Sequence, residues 1–158
     1  VLGALCNFQG LNLQQGLYKQ GVDVSEAGFQ TDLLRHLRTF LGEDVHEAPK
    51  QGSGITDVQY RSVTVELKVE KTVKDRRKVI DGYLSQPTQY TSAGGGQLGA
   101  LCVLDLTEKT QPPANAMSNL FLEAPTLHGF EQQAAAFPAR IAVVFIDGNL
   151  RLPSSYSR

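Results

Sequence analysis

Two carboxylates and a lysine lie close together in a stretch whose pattern indicates a β-hairpin. Residues 63–70 alternate between apolar and polar side chains, which is the period of a half-buried strand. Glu66 and Lys68 both belong to the polar set, so they share one face of that strand. Asp57 lies in the preceding short strand, and we expect it near the level of Val65 and Glu66 if the turn at residues 60–62 is short.

This group of side chains could hydrolyse a phosphodiester bond. Carboxylate oxygens suit a hard cation such as Mg²⁺, which commonly takes only one or two carboxylates from the protein. An ammonium group beside such a cation can hold or deprotonate the attacking water. Asp57, Glu66 and Lys68 therefore predict a metal-dependent hydrolytic site, whereas a Glu-x-Lys sequence taken alone is more often a solvated strand or helix face.

Asp57, followed by Glu66-Leu67-Lys68 in the next strand, resembles the catalytic motif of the PD-(D/E)XK nucleases, the restriction-endonuclease-like superfamily. Thr56 replaces the proline that precedes the aspartate in that motif. The resemblance implies that Asp57, Glu66 and the backbone carbonyl of Leu67 bind one or two Mg²⁺ or Mn²⁺ ions. It also implies that Lys68 orients the attacking water.

Two further features are similar to the same superfamily. Many of its members carry a glutamate in the first core helix, and Glu26 occupies that place, from which it could reach a metal through water. The structural alternative for Glu26 is a first-turn carboxylate that interacts with the helix dipole. Gln86 and Tyr90 form a Gln-x-x-x-Tyr motif that resembles the RecB-like branch, in which such a pair positions the substrate strand. A surface glutamine beside a half-buried tyrosine is the alternative.

A basic stretch follows the predicted catalytic strand directly. Its side chains could hold phosphates beside the metal site, or could form the solvated face of a helix. Their position immediately after the strand favours phosphate contacts. The residues concerned are Lys71, Lys74, Arg76, Arg77 and Lys78.

The elements that must position these residues follow from hydrophobic periodicity. An apolar stripe over residues 25–41, with Ser25 as a candidate N-cap and Gly42 as the stop, predicts an amphipathic helix. A short strand is expected within residues 44–49, and helical periodicity resumes after the basic stretch. Residues 98–106 form a nearly continuous apolar run, which is typical of a strand covered on both faces.

The resulting order of helix, three strands, helix and strand is similar to the αβββαβ core of the PD-(D/E)XK fold, an α/β architecture with a mixed central sheet flanked by helices. We expect a single nuclease-like domain over residues 1–158. Its parts are a core at 22–106, an N-terminal arm at 1–21, an insertion at 107–137 with a short helix near 129–136, and added C-terminal strands at 138–152, in which residues 150–152 return as a hairpin.

Length and composition exclude several classes of protein. A chain of 158 residues with 41% hydrophobic and 20% charged residues describes one soluble globular domain. No stretch is apolar enough to cross a membrane and none resembles a signal peptide, so we expect a cytoplasmic, nucleoid-associated protein. The net charge of −1 argues against a broad grip on DNA but allows a local basic patch.

The remaining titratable side chains suggest no second site. Cys6 and Cys102 lie in apolar contexts, where buried and reduced thiols are expected and a disulfide between them is the weaker alternative. His36 is expected to be a solvated or rim residue, and Asp105 to make hydrogen bonds at the end of its strand.

The sequence therefore predicts a Mg²⁺- or Mn²⁺-dependent nuclease, and the resemblance alone favours DNA over RNA. Endonucleolytic and exonucleolytic action both stay open. Two other classes also stay open: a nucleic-acid-binding module that kept the fold and lost the activity, and a protein-interaction domain. A fused or associated protein could dock on the 107–137 insertion or on the N-terminal arm, and a homodimer is a further option.

Overall fold

The computed structural model describes residues 1–47, 57–93, 97–113, 116–126, 131–132 and 138–156. These residues form four α-helices, six strands and two short 3₁₀ helices (Ala116–Asn119 and Pro153–Tyr156). The helices are α1 (Leu2–Gln15), α2 (Glu26–Leu41), α3 (Arg76–Tyr83) and α4 (Ser85–Ala93). The strands are β1 (Val45–Glu47), β2 (Asp57–Tyr60), β3 (Val63–Glu70), β4 (Leu98–Asp105), β5 (Leu120–Glu123) and β6 (Arg140–Asp147).

All six strands belong to one mixed sheet in the order β1-β2-β3-β4-β6-β5. β1, β2 and β3 are antiparallel neighbours, β3, β4 and β6 run parallel, and β5 is an antiparallel edge strand. Parallel neighbours need a crossover, and α3 and α4 supply it between β3 and β4. The expected α/β architecture with a mixed, helix-flanked sheet is therefore confirmed.

Two hydrophobic cores lie on the two faces of the sheet. On one face, α1 and α2 cover alternate strand residues such as Val65, Leu67 and Cys102. On the other face, Val79 and Ile80 of α3 pack against the intervening set, which comprises Leu101, Val103, Ile141, Val143 and Phe145. Since side chains alternate along a strand, the polar residues of β3 share their face with α3 and α4.

The predicted amphipathic helix is present as α2. The side chain of Ser25 caps it by accepting a hydrogen bond from the backbone N–H of Gly28 at 3.1 Å. The helix ends before Gly42, whose φ of 77° lies in the region that glycine tolerates best.

His36 on α2 is buried, which corrects the expectation of a solvated or rim position. Its ring lies between those of Phe8 and Phe40, at centroid distances of 4.9 and 4.8 Å. Its Nε2 is 3.2 Å from the carbonyl oxygen of Ala4. The reason is that α1 covers this part of α2, a long-range contact that the periodicity of α2 alone does not reveal.

The segment expected as an N-terminal arm forms α1 and packs on the sheet through Leu5 and Phe8. After α1 the chain meets the C-terminal segment, because the backbone of Lys19 forms a parallel bridge with Leu150. The expected hairpin return of residues 150–152 onto β6 is therefore wrong. After β6 the chain crosses to the end of β4 instead, where the Gly148 N–H donates a hydrogen bond to the Asp105 carbonyl at 2.8 Å.

Three other expectations concern less central parts of the chain. Cys6 and Cys102 are free thiols, of which Cys102 is buried and Cys6 only partly so. The loop between β1 and β2 and most of the helix expected near 129–136 lie outside the described residues. Among the described helices, none combines the length and hydrophobicity needed to cross a bilayer.

Candidate functional site

The central hairpin sets the two predicted carboxylate residues opposite each other. β2 and β3 are joined by a two-residue turn at Arg61 and Ser62, and their antiparallel register pairs Asp57 with Glu66. Arg61 adopts a left-handed φ of 55°, which suits a tight reversal. The side chain of Asp57 lies outside the described part of the structure, so the finding is the backbone pairing, which falls within the expected level near Val65 and Glu66. Tyr60, expected in the turn, is the last residue of β2.

Glu66 and Lys68 form an ion pair on the polar face of β3. Glu66 is 1% exposed, and its Oε1 accepts a hydrogen bond from Lys68 Nζ at 2.5 Å. The Lys68 side chain is 17% exposed, which places it nearer the rim than its partner. Because a carboxylate removed from water is costly to keep charged, the Lys68 ammonium is an important part of its surroundings.

Glu70, the last residue of β3, has a structural role. Its Oε1 accepts hydrogen bonds from the backbone N–H groups of Thr72 and Val73 at 2.7 and 2.8 Å, and the Tyr83 hydroxyl donates to its Oε2 at 3.0 Å. Burial raises the pKa of Glu70, but these hydrogen bonds outweigh it and leave the pKa below its ordinary value. Glu70 thereby fixes the chain between β3 and α3.

Glu26 begins α2 and is half-buried on the side of the molecule where β3 ends. Burial, then the hydrogen bond and charge of Glu70, and finally the charge of Glu26 raise the pKa of the Tyr83 hydroxyl, so Glu26 lies within electrostatic range of it. An ion pair of 2.6 Å between Asp23 and Lys71 joins the segment just before α2 to the residue just after β3. The position is compatible with both readings of Glu26, as a helix-dipole partner and as a group near the hairpin site.

Gln86 and Tyr90 lie one turn apart on α4, as the motif predicts. Gln86 Nε2 donates a hydrogen bond to the Tyr90 hydroxyl at 3.2 Å, and both side chains are partly exposed. α4 packs against β3 and β4 on the face that carries Glu66 and Lys68. The structure therefore places the motif and the hairpin residues on one face of the sheet.

Close packing of α4 on β4 depends on a glycine. A Cβ added at Gly99 would collide with the Thr91 hydroxyl of α4 and would lie 3.0 Å from Cδ1 of Ile141. Gly99 therefore sets how near the helix carrying Gln86 and Tyr90 comes to the sheet.

Most of the basic side chains after β3 are paired with carboxylates of this chain. The exposed pairs are Lys71 with Asp23 at 2.6 Å, Lys74 with Glu108 at 3.5 Å, and Arg77 with Asp81 at 2.8 Å. Arg77 also lies 2.7 Å from Glu123, whose side chain is only 16% exposed. Such surface pairs are weak and exchange readily. Lys78 is exposed. The pairs reduce the positive field of the stretch, and contact with phosphate stays a prediction.

Arg76 belongs to a buried polar cluster that the sequence did not predict, at the C-terminal end of β6. The carboxylate of Asp147, a residue 2% exposed, accepts hydrogen bonds from Arg76 Nη2 at 2.8 Å, Asn119 Nδ2 at 2.7 Å and Gln9 Nε2 at 2.7 Å. The Arg76 guanidinium also lies 4.9 Å from the ring centroid of Phe145. This anchoring favours a structural role for Arg76 over the predicted phosphate contact.

Asp105 is the register partner of Asp147 on β4 and extends the same cluster. Its Oδ1 accepts hydrogen bonds from the Thr107 backbone N–H at 3.0 Å and hydroxyl at 2.6 Å, and lies 2.8 Å from Lys109 Nζ. The expected strand-end hydrogen bonding of Asp105 is thus confirmed. The sequence signal for the whole cluster was an aspartate at the end of each of two buried apolar strands, since carboxyl ends of parallel neighbours meet at one sheet edge.

The oxygen groups of the hairpin suit a hard divalent cation in their chemistry. A buried carboxylate at Glu66, a second acidic residue paired with it in register, and the adjoining backbone carbonyl of Leu67 are ligands of the type that Mg²⁺ and Mn²⁺ prefer. Within the described residues, pairing with β2 stops at Glu66, so Leu67 is the first residue beyond the paired part of the hairpin. No cluster of three or more histidine, cysteine, aspartate or glutamate side chains that could hold a metal occurs among the described residues, a set that excludes the Asp57 side chain.

Comparison of this chain with models of protein families, with curated proteins and with solved structures finds no match. The functional assignment therefore depends on the hairpin, on α4 and on the order of the elements around them.

Proposed function

We propose that this protein is a divalent-cation-dependent nuclease of the PD-(D/E)XK type, which hydrolyses phosphodiester bonds in DNA. The observation that carries the proposal is the hairpin geometry, in which Asp57 pairs in register with Glu66 and Lys68 contacts the Glu66 carboxylate. The order of elements from α2 to β4 supports it, because a helix, an antiparallel three-stranded unit, crossover helices and a parallel strand follow one another as that fold type requires.

Each residue of the hairpin has a distinct role in this proposal. Asp57, Glu66 and the Leu67 carbonyl hold the cation, and Glu26 reaches it through water. A bound Mg²⁺ or Mn²⁺ ion supplies Lewis acidity, which favours ionisation of a bound water and offsets charge on the phosphate. Lys68 orients the attacking water and stabilises the negative charge that develops on the phosphoryl oxygens. Burial of Glu66 strengthens these electrostatic interactions, since the surrounding dielectric is low.

The substrate strand lies along α4 and the basic stretch in this proposal. Gln86 offers an amide to a phosphate or base, and Tyr90 offers a ring for stacking. Lys71, Lys74, Arg77 and Lys78 are exposed on the same part of the chain. Exchange of their surface carboxylate partners for phosphates releases bound counterions from DNA, which makes binding sensitive to salt. A DNA substrate implies a location at the nucleoid.

The proposal is tested by a cleavage assay on Asp57→Asn and Lys68→Ala, with Asp44→Asn as the matched control. Asp44 is an exposed carboxylate paired with Arg61 in the hairpin turn, so its loss should leave cleavage unchanged. The two site variants should retain the fold by circular dichroism and lose metal-dependent cleavage. Parental cleavage rates in both of them would show that the site is wrong.

A protein-interaction module is the second candidate, and one specific observation favours it. Leu122 on the edge strand β5 is 75% exposed, and Met117, three residues before that strand, is 69% exposed. Exposed apolar side chains on an edge strand suit a protein partner, which could be an associated protein or a second copy. This candidate predicts a protein that binds neither DNA nor divalent cations.

A further inference from the structure

We infer that the Lys68–Glu66 ion pair is a resting-state latch, which Lys68 opens when a divalent cation binds Glu66, an inference that rests on the proposed function. The latch sets the order in which the site is assembled. Lys68 becomes available to the attacking water only after it has left the Glu66 carboxylate.

The two partners differ in their freedom to move. Glu66 is 1% exposed and lies on a strand that is paired on both sides, with β2 and with β4. Pairing on both sides holds the backbone of Glu66 in place, and its carboxylate is buried beneath the Lys68 side chain. The Lys68 side chain is 17% exposed and has a flexible four-carbon stem, so its ammonium can swing to the rim while the backbone stays in place. Lys68 is therefore the moving member of the pair.

Repulsion between the Lys68 ammonium and a bound divalent cation favours that movement of Lys68. Lys68 Nζ lies 2.5 Å from Glu66 Oε1, which is one of the oxygens that a cation would use. Joint occupancy of one buried oxygen by an ammonium and a divalent cation is costly, because like charges at such separations repel strongly where the dielectric is low. The two cations therefore compete for Glu66. The displaced ammonium turns toward the rim, where the proposed substrate binds.

Two consequences separate a latch from a lysine that acts only on water. Removal of the ammonium removes the competitor, so the affinity for the cation rises. Removal also takes the counter-charge from a buried carboxylate, so the cation-free variant is less stable and gains more stability from the cation than the parent does. A lysine that only orients water would alter cleavage and leave cation affinity unchanged.

The chain offers a matched control for these effects. Lys109 Nζ lies 2.8 Å from Asp105 Oδ1, and the two side chains are 13% and 7% exposed, so this pair is as buried as the latch but lies at the ends of other strands. Lys109→Met should lower stability without raising cation affinity.

The experiment is calorimetric titration of Mn²⁺ into the parent, Lys68→Met, Lys109→Met and Glu66→Gln, with thermal unfolding measured with and without Mn²⁺. The latch predicts a dissociation constant roughly tenfold lower in Lys68→Met than in the parent, and a larger rise in melting temperature on adding Mn²⁺. Lys109→Met should bind as the parent does, and Glu66→Gln should not bind. Lys68→Gln, which keeps a hydrogen-bond donor, replaces Lys68→Met if the latter does not fold.

The outcomes distinguish failure of the latch from failure of the nuclease proposal. Equal affinities in the parent and the Lys68 variant, with binding lost in Glu66→Gln, would overturn the latch and keep the hairpin as the cation site. An equal gain of affinity in Lys109→Met would also overturn the latch, because the effect would then be general to buried carboxylates. Absence of binding in the parent and in the Lys68 variant would overturn the proposed function, and the latch with it.

Discussion

The backbone of Asp57 pairs with that of Glu66 across the β2–β3 hairpin. A two-residue turn fixes this register, and a slip by one residue would move every β2 side chain to the other face of the sheet. Lys68 lies two residues beyond Glu66 on β3 and therefore on the same face, where its ammonium contacts the Glu66 carboxylate. The hairpin thus brings Asp57, Glu66 and Lys68 together at one place on a sheet that helices cover.

Tyr90→Ala should weaken DNA binding while leaving cation affinity unchanged. Loss of a ring on which a base stacks costs about 1–3 kcal/mol per base, and the Gln86 amide also loses its partner hydroxyl. Fluorescence anisotropy with a labelled oligonucleotide in Ca²⁺ measures the effect. Gln89→Ala is the control, because Gln89 is exposed on the same helix. Parental affinity in Tyr90→Ala would remove α4 from the proposed substrate surface.

Asp147→Ala should destabilise the fold by about 3–5 kcal/mol, because it takes the carboxylate from a buried charge pair. The variant leaves Arg76 with only the more distant Asp105 carboxylate, 3.9 Å away, and the Asn119 amide oxygen. It also removes an acceptor from both Gln9 and Asn119. Urea unfolding monitored by circular dichroism measures the change. Asp81→Ala breaks an exposed pair with Arg77 and should leave the unfolding curve almost unmoved. An equally small effect of Asp147→Ala would contradict the structural role of the cluster.

Gly99→Ala should destabilise the packing of α4 by about 1–3 kcal/mol, the usual cost of an added methyl group in a filled interior. The methyl group would meet the Thr91 hydroxyl and Cδ1 of Ile141. Gly82→Ala on α3 is the control, since a Cβ there meets nothing within 4 Å and alanine favours the helix.

Thr91→Ala introduced together with Gly99→Ala gives a sharper version of that measurement. It removes the hydroxyl with which the new methyl group collides, so the double variant should recover part of the lost stability. Equal destabilisation in the single and double variants would show that Thr91 does not limit the approach of α4.

The free energy of unfolding of the protein should fall on mild acidification, because His36 must take up a proton. Burial between α1 and α2 lowers the pKa of His36 from its ordinary 6.5, although the contact with the Ala4 carbonyl opposes the shift. The folded state therefore binds the proton less readily than the unfolded state does. The contribution of neutral His36 is complete above about pH 6.5 and declines as the pH falls from there through the lowered pKa.

Urea unfolding of the parent and of His36→Leu between pH 7.5 and 5 tests this sign. The unfolding free energy of the parent minus that of His36→Leu should decrease as the pH falls. A difference that does not change with pH would show that His36 titrates alike in the folded and unfolded states.

Local patterns predicted much of the fold. The apolar stripe of α2, the alternation of β3 and the apolar run of β4 each reflect which side chains must be buried, so their elements could be read from the sequence. A short turn admits few registers, so Asp57 could be expected near Val65 and Glu66, and the observed partner is Glu66. The helical spacing of Gln86 and Tyr90 was predictable for the same local reason.

Contacts between distant parts of the chain could not be predicted in the same way. Gln9 is fully buried because its amide meets Asp147, a residue 138 positions away. Arg76 and Arg77 are neighbours in one basic stretch, yet the carboxylate nearest Arg76 is the buried Asp147, whereas Arg77 is exposed and pairs with Asp81 and Glu123. Nothing in their local sequence distinguishes the two arginines, because the difference arises from strands that the fold brings alongside.

Cleavage of DNA by the parent and by Glu66→Gln tests the central claim most directly. Purified proteins are incubated with linear, circular and single-stranded DNA in Mg²⁺, in Mn²⁺ and in EDTA. The parent should cleave at least one of these substrates in the presence of a divalent cation and none in EDTA. Glu66→Gln keeps the size of the side chain but loses its charge, and should cleave at least about a hundredfold more slowly. A folded parent that cleaves none of them, or a Glu66→Gln variant that cleaves at the parental rate, would contradict the account.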